Sequence, residues 1–294
     1  MKKSILGIVG GSGLYDIEGL TNKKWRKVSS PFGEPSDSLL FSEFDGVSTV
    51  FLPRHRRGHI IPPSEINYRA NIDALKRSGV TDIISIGAVG SFKEELSPGT
   101  FVIVDQFIDQ TFAREKTFFS KGCVAHVSMA HPVCCRLGDH IENSVEEKKI
   151  PYKRGGIYLA MEGPQFSSMA ESHNYQRMNC DVVGMTNMPE AKLAREAEIC
   201  YASVAMVTDY DCWHPDHDNV EVEHIIQVLL TNAEKAKGLV KSLIPRIKND
   251  KNHNQCSCRK ALEHAIITAP SERNPEVVKH LDAIAGRVLN KPNQ

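Results

Sequence analysis

Two aspartates two residues apart, Asp209 and Asp211, follow the nearly unbroken apolar run Cys200–Val207 after Thr208. Such a run reads as a strand buried on both faces. In open α/β sheets, ligands bind beyond the carboxyl ends of strands. If both aspartates stayed on the strand, they would share one face. Two carboxylates in a crevice can hold a metal ion, or share a proton, because neighbouring like charges raise one pKa. The second use suits a purine: a protonated carboxyl donates to ring N7 while another oxygen accepts from a 6-amino group. Two solvated loop carboxylates would give the same Asp-x-Asp pattern.

Other stretches suit an anion. The apolar run at 5–9 leads into Gly10-Gly11-Ser12-Gly13, where glycines let backbone N–H groups approach an anion and a serine hydroxyl adds a donor. The spacing is not G-x-G-x-x-G and residues 14–22 do not read as a helix, which argues against a dinucleotide loop; a tight turn stays open. In Pro53-Arg54-His55-Arg56-Arg57-Gly58-His59, Arg54 offers a donor fork matched to phosphate and His55 a further donor, unless the loop is simply solvated. Three arginines argue against zinc on His55 and His59. Asp82–Ile86 is another buried strand, again followed by glycines in Gly87-Ala88-Val89-Gly90-Ser91. In Met161-Glu162-Gly163-Pro164-Gln165-Phe166-Ser167-Ser168, Phe166 supplies a flat face for a purine. A metal-dependent hydrolase could draw on Asp209, Asp211, His214 and His217.

Positioning these groups requires strands alternating with helices, an α/β class with a mixed central sheet. Paired strands are expected at Leu39–Phe41 and Val47–Leu52, and further strands at Thr100–Val104, Gly155–Ala160 and Asp181–Met185. Helices are expected at Ser64–Ser78 with Ser64 as cap, at 133–148, at Ala170–Met178, at Ala191–Ala197 with Pro189 in the first turn, and from Val220 to Leu243, ended by Pro245. Residues 112–131 look irregular. After the polar linker 248–255, a terminal helix is expected from Cys258 to about Ile267. The organisation is one domain over 1–250, with a 251–294 extension packed on it.

Acidic and basic residues balance at 36 each, so neither nucleic acid nor a membrane surface is implied as partner. No apolar run approaches the roughly 18 residues of a membrane span, and the start is too short for a signal peptide, so a cytoplasmic protein is expected. Eight cysteines form no C-x-x-C pair. Most are expected to be reduced and buried; Cys256-Ser257-Cys258 stands apart, with a redox or staple role as the alternative.

As a set, G-G-S-G-L, S-P-F-G-x-P-S-D, R-H, D-Q-F-I-D, E-G-P-x-F-S-S and T-D-Y-D-C-W resemble the S-methyl-5′-thioadenosine phosphorylases of the purine nucleoside phosphorylase superfamily. The resemblance implies a single-domain nucleoside phosphorylase fold, assembled as a homotrimer or a dimer of trimers. It implies a pentosyltransferase that cleaves methylthioadenosine with inorganic phosphate as co-substrate, without cofactor or metal. Ser12, Arg54, His55, Ala88 and Thr186 inherit the phosphate. Asp209 inherits the proton donated to N7 and Asp211 the 6-amino group; Phe166 and Ser167 flank the base, and Met185 the ribose. His126 matches a histidine near the 5′-alkylthio end, and Val222, Ile225 and Ile226 map to the methylthio pocket. Gly87 stands where some relatives carry threonine. A C-x-C tail occurs in some bacterial and archaeal members, and disulfides are known in the family. A purine nucleoside phosphorylase preferring adenosine or 6-oxopurines, the metal-dependent hydrolase and a non-catalytic purine binder remain alternatives. Members taking 6-oxopurines generally carry Asn where Asp209 stands, which favours a 6-amino base.

Overall fold

The structure, a computed structural model, describes residues 4–11, 13–215 and 222–290, the side chains of 222–225 excepted. In chain order its elements are β1 (Leu6–Gly10), β2 (Thr21–Arg26), β3 (Leu39–Phe44), β4 (Val47–Pro53), α1 (Tyr68–Arg77), β5 (Asp82–Ser91), β6 (Phe101–Val104) and β7 (Gln106–Gln110). There follow α2 (Cys135–Glu147), β8 (Tyr152–Arg154), β9 (Ile157–Met161), α3 (Met169–Arg177), β10 (Val182–Gly184), α4 (Asn187–Glu196), β11 (Cys200–Asp209), α5 (Val222–Lys248), α6 (Pro275–His280) and α7 (Asp282–Leu289). The strands form one mixed sheet, ordered β2-β3-β4-β1-β5-β10-β9-β7, with β11 on the other edge of β5, followed by β6 and β8.

Strand β5 organises the sheet. Along one edge β11 runs parallel to it from Cys200↔Asp82 to Asp209↔Gly90. Along the other edge two strands share it: β1 pairs in parallel with Asp82–Ser85, and β10 pairs antiparallel with Gly90 and Ser91. Between these two pairings no described strand lies beside 86–89. This is a switch point, where neighbouring strands diverge and leave a crevice lined by backbone. The apolar runs of β1, β5 and β11 read as buried strands because both of their faces are covered, and all but three of their residues are buried.

Several elements depart from the sequence expectation. The exposed edge strand β2 was not expected at all. All six of its residues are exposed, so it shows no apolar alternation; its lysines and arginine suit an unprotected sheet edge. Ser64 lies in a separate turn, Pro63–Glu65, because Ile66 is extended; Asn67 caps α1 instead, its Oδ1 accepting from Ala70 N–H at 3.0 Å. Pro245 lies inside α5 rather than ending it, and burial of Leu243, Ile244 and Ile247 holds that last turn in place. The helix expected at Cys258–Ile267 is replaced by short turns and an extended segment in which Ile266 bridges Ala125. The tail instead forms α6 and α7: Asn274 caps α6 with Pro275 behind it, and Leu281, Ile284 and Ala285 join Leu262 in the same core as β1, β4 and α1. All eight cysteines are free of disulfides. Among the described residues no helix is long and apolar enough to cross a membrane.

Candidate active site

The crevice at 86–89 gathers most of the anion candidates. β1 ends there in Gly10, where a Cβ would sit 2.3 Å from Leu14 Cδ1 and 3.0 Å from the Ile86 carbonyl. Gly10 therefore lets β1 run close against β5. Beyond it Gly11 and Gly13 face open space, Gly13 with φ +99°. Ser12 lies outside the described residues. Arg54 follows β4, its backbone N–H donating to Gly10 C=O at 3.0 Å.

The Arg54 side chain, only 2% exposed, differs from the open fork expected of a phosphate ligand. Its Nε and Nη2 donate to Glu190 Oε2 and Oε1 at 2.7 and 3.2 Å, and Nη2 also reaches Ser85 Oγ. Nη1 makes one long contact, 3.5 Å to Ile86 C=O. A Cβ on Gly87 would lie 3.8 Å from this Nη1 and 3.7 Å from Thr186 Oγ1. Arg54, Gly87 and Thr186 thus surround one spot, and only the Nη1 side of the fork faces it. Thr186 precedes α4, and its hydroxyl makes no capping bond there. Ala88 is exposed along the same unpaired stretch.

His55 also differs from expectation. Burial first, and then the adjacent Arg54 charge, push its pKa down to about 4. It is therefore neutral near pH 7, and its Nδ1 donates to Ile61 C=O at 2.9 Å. Nε2 is left as an acceptor rather than the second donor the sequence suggested. Arg56 and Arg57 do point to solvent; Arg57 pairs with Asp37 and covers Trp25.

Glu190 went unnoticed in the sequence, where an acidic residue after Pro189 signals only a helix start. It also accepts from Ser85 Oγ at 2.6 Å and Tyr201 OH at 2.9 Å. Asn187 joins the same buried network through Ser85, Tyr201 and Ser203.

Three residues further along β5, about 10 Å at 3.3 Å per residue, lies the carboxylate pair. Asp209 is the last residue of β11 and pairs with Gly90; Asp211 is already off the strand, with φ +54°. They are therefore not on one strand face but wrapped in a turn, with Asp211 N–H donating to Asp209 Oδ1 at 2.8 Å. Gly90 makes room: a Cβ there would lie 2.9 Å from Asp209 Oδ1 and 3.3 Å from Asp211 Cβ. The Thr208 hydroxyl lies 2.7 Å from Asp209 Oδ2 and 3.2 Å from Val89 C=O. Its single proton can serve either, so the same oxygen can donate to an ionised Asp209 or accept from a protonated one. Asp211 is 5% exposed, and burial raises its pKa. The aromatic residues of the motif anchor this turn: Tyr210 OH donates to Glu94 C=O at 3.2 Å and Trp213 Nε1 to Ser91 C=O at 2.7 Å.

The segment after β9 closes over the pair. The Ser167 C=O lies 3.4 Å from Cys212 Sγ, which places Ser167 beside the aspartate turn. Phe166 next to it is 51% exposed, an apolar ring turned outward. Gly163 has φ +71°, and a Cβ there would lie 2.5 Å from Met185 Sδ, so only glycine lets Met185 pack against this loop. Arg114, also missed in the sequence, ties the loops together. Its Nε pairs with Glu162 at 3.0 Å, Nη2 donates to Glu162 C=O at 2.7 Å, and Nη1 donates to the carbonyls of Met185 and Met188.

The 5′-end candidates are not gathered with these groups. His126 is exposed, with its backbone N–H bonded to Ala265 C=O at 2.9 Å. Ile226, 45% exposed, lies in the first turns of α5; the side chains of Val222 and Ile225 lie outside the described residues. Among the described residues Asp209, Asp211 and His214 do not form a converging set of ligand atoms. His214 turns to Glu94 at 3.0 Å and stacks on Tyr210; His217 lies outside the described residues.

Arg54 and Thr186 beside Gly87, and Asp209 and Asp211 beside Gly90 three residues along the same strand, form the arrangement expected of a nucleoside phosphorylase. Residues 5–245 match the Phosphorylase superfamily. The chain is 59% identical over 288 residues to the S-methyl-5′-thioadenosine phosphorylase of Rhodospirillum rubrum, covering 98% of each chain. A crystal structure of methylthioadenosine phosphorylase sourced from an antarctic soil metagenomic library matches with a TM-score of 0.91 at 44% identity, over 96% of this chain and 99% of that one. Methylthioadenosine phosphorylase from Schistosoma mansoni in complex with adenine matches with a TM-score of 0.82 at 38% identity, over 88% and 96% of the two chains. The chain therefore belongs to the phosphorylase superfamily and, within it, to the S-methyl-5′-thioadenosine phosphorylases.

Proposed function

We propose that the protein catalyses the reversible phosphorolysis of S-methyl-5′-thioadenosine to adenine and 5-methylthioribose 1-phosphate. The carrying observation is the spacing on β5: Gly87 beside Arg54 and Thr186, and Gly90 beside Asp209 and Asp211, in a chain of this family. A nucleoside bridges that interval, with its base at the carboxylates and its C1′ toward the anion pocket.

Phosphate attacks C1′ from the face opposite the base as the C1′–N9 bond lengthens. Its charge stabilises the oxocarbenium character of the sugar. Arg54 Nη1, Thr186 Oγ1, Ser12 and the backbone around Ala88 hold it. Neutral His55 accepts a hydrogen bond at Nε2 from the P–OH of monohydrogen phosphate, its low pKa keeping that nitrogen unprotonated. The electrons of the broken bond pass into the purine, and Asp209 delivers a proton to N7. Thr208, with two acceptors in reach, accommodates either protonation state of Asp209. Asp211 accepts from the 6-amino group, Ser167 and Phe166 flank the base, and Met185 packs on the ribose. No cofactor takes part. By the family resemblance, Val222, Ile225 and Ile226 would supply an apolar seat for the methylthio group, which a 5′-hydroxyl would enter at a desolvation cost. A homotrimer or dimer of trimers would cover the exposed Phe112, Val124 and Ile267, which are 82%, 41% and 62% exposed, and would bring His126 toward a 5′ end.

Base release is to be compared for methylthioadenosine, adenosine and inosine at saturating phosphate. The expected order of kcat/KM is methylthioadenosine, then adenosine, then inosine. Inosine leading would overturn the base assignment, and adenosine leading would overturn the apolar 5′ seat.

A further inference from the structure

A second cluster of reactive side chains lies at the opposite end of the sheet. Cys134 caps α2, Cys200 opens β11, and Cys256 and Cys258 sit in the turns after α5. Their four Sγ atoms all lie within 4.8 Å of one another, and Cys134 and Cys256 are 3.5 Å apart. Three of the four residues are buried and Cys256 is half-buried.

A disulfide brings sulfurs to about 2.05 Å and takes them two at a time. Zinc bound to four thiolates at about 2.3 Å spaces all of them by about 3.8 Å, the separation of tetrahedral corners. The spacing seen matches the second arrangement. Four sulfurs also select soft metals, and a closed set without histidine, carboxylate or open position is that of a structural site. From this convergence we propose that Cys134, Cys200, Cys256 and Cys258 bind one structural Zn²⁺ ion per chain.

Binding displaces four thiol protons to solvent and leaves a centre of net charge −2. Two guanidiniums lie beside it: Arg136, which also pairs with Asp82 and Asp250, reaches Cys200, and Arg195 lies near Cys258. The site is remote from the chemistry. Cys200 and Asp209 are the two ends of β11, nine steps or about 30 Å apart. Its work is to pin the carboxyl-terminal segment. Downstream of Cys258, Leu262 N–H donates to Glu198 Oε1 at 2.9 Å, His126 N–H to Ala265 C=O at 2.9 Å, and Ile267 N–H to Val124 C=O at 2.9 Å. Fixing Cys256 and Cys258 therefore also fixes the stretch that carries His126.

The test uses the untagged full-length protein, purified without chelator, with metals measured by plasma mass spectrometry. About one zinc per chain is expected, as for a closed four-thiolate site. Titrating the native protein with an organomercurial should release that zinc in step with four thiols. Co²⁺ added to metal-depleted protein should give the visible spectrum of a tetrahedral thiolate centre. Cys258→Ser should lose the zinc and melt lower, whereas Cys135→Ser, exposed and outside the cluster, should keep it. Metal-free protein with eight titratable thiols would overturn the proposal. So would six thiols, which would indicate a disulfide, and iron in place of zinc would overturn the choice of metal. The mercurial titration decides the matter even if Cys258→Ser does not fold.

Discussion

Asp209→Asn is expected to lower kcat/KM for methylthioadenosine by about 10³-fold, within the range general acid catalysis contributes. The amide has nearly the shape of the carboxyl. It can still accept from Asp211 N–H and sit beside Thr208, contacts that help hold Asp209. The turn anchored by Tyr210 and Trp213 should survive, and the melting temperature should change little. What is lost is the transferable proton: an amide can donate a hydrogen bond to N7 but cannot give up a proton as the base departs. The loss should therefore fall on kcat more than on KM. A 6-oxopurine presents an acceptor next to N7 where adenine presents a donor, and the NH2 of an amide at N7 has two protons with which to meet both acceptors. Relative preference should therefore shift toward inosine or methylthioinosine. An unchanged ratio of kcat/KM between the 6-amino and 6-oxo nucleosides would refute the role given to Asp209.

The second large effect is structural in origin. Glu190→Ala should destabilise the protein by about 3–5 kcal/mol, the cost of leaving one member of a buried ion pair alone. Arg54 would keep its charge at 2% exposure with both carboxylate bonds gone, and Ser85 and Tyr201 would lose their common acceptor. At about 2–4 °C per kcal/mol for a chain of this size, a drop of roughly 10 °C in Tm is expected. Surviving enzyme should show a raised KM for phosphate, because the carboxylate that fixes the guanidinium, and with it Nη1 toward Gly87 and Thr186, would be gone. The pair Arg54→Met, Glu190→Leu separates the two roles. It should recover much of the stability, as apolar replacements of buried ion pairs do, and still fail with phosphate. Thermal melts and phosphate KM values for the three proteins check this; a double variant with normal phosphate KM would remove Arg54 from the anion pocket.

The contrast between these residues shows what the sequence could reveal. β5 and β11 are legible because burial on both faces forces a continuous apolar run, and their ends mark the site. Asp209, Asp211, Phe166 and Ser167 stand out because their types match a chemistry and follow a strand or turn signal. Glu190 and Arg114 do not, because their partners lie 136 and 48 residues away and no periodicity reports such a distance. The tautomer of His55 depends on the Ile61 carbonyl, and the inward turn of Arg54 on Glu190; composition carries neither. The four cysteines escape for the same reason: only Cys256 and Cys258 are close in sequence, and the spacing familiar from zinc ribbons is absent. The tail held a readable signal, Asn274-Pro275 followed by apolar Leu281, Ile284 and Ala285, but a polar background masked it.

The central claim is that an anion bound at the 86–89 crevice attacks a nucleoside whose base rests on Asp209. The most direct measurement follows methylthioadenosine with the purified enzyme by ³¹P NMR and adenine absorbance, with and without inorganic phosphate. The account predicts that adenine forms only when phosphate is present, in equal amount with a new sugar 1-phosphate resonance. Adenine released at the same rate without phosphate, together with free methylthioribose, would contradict it and make the protein a hydrolase.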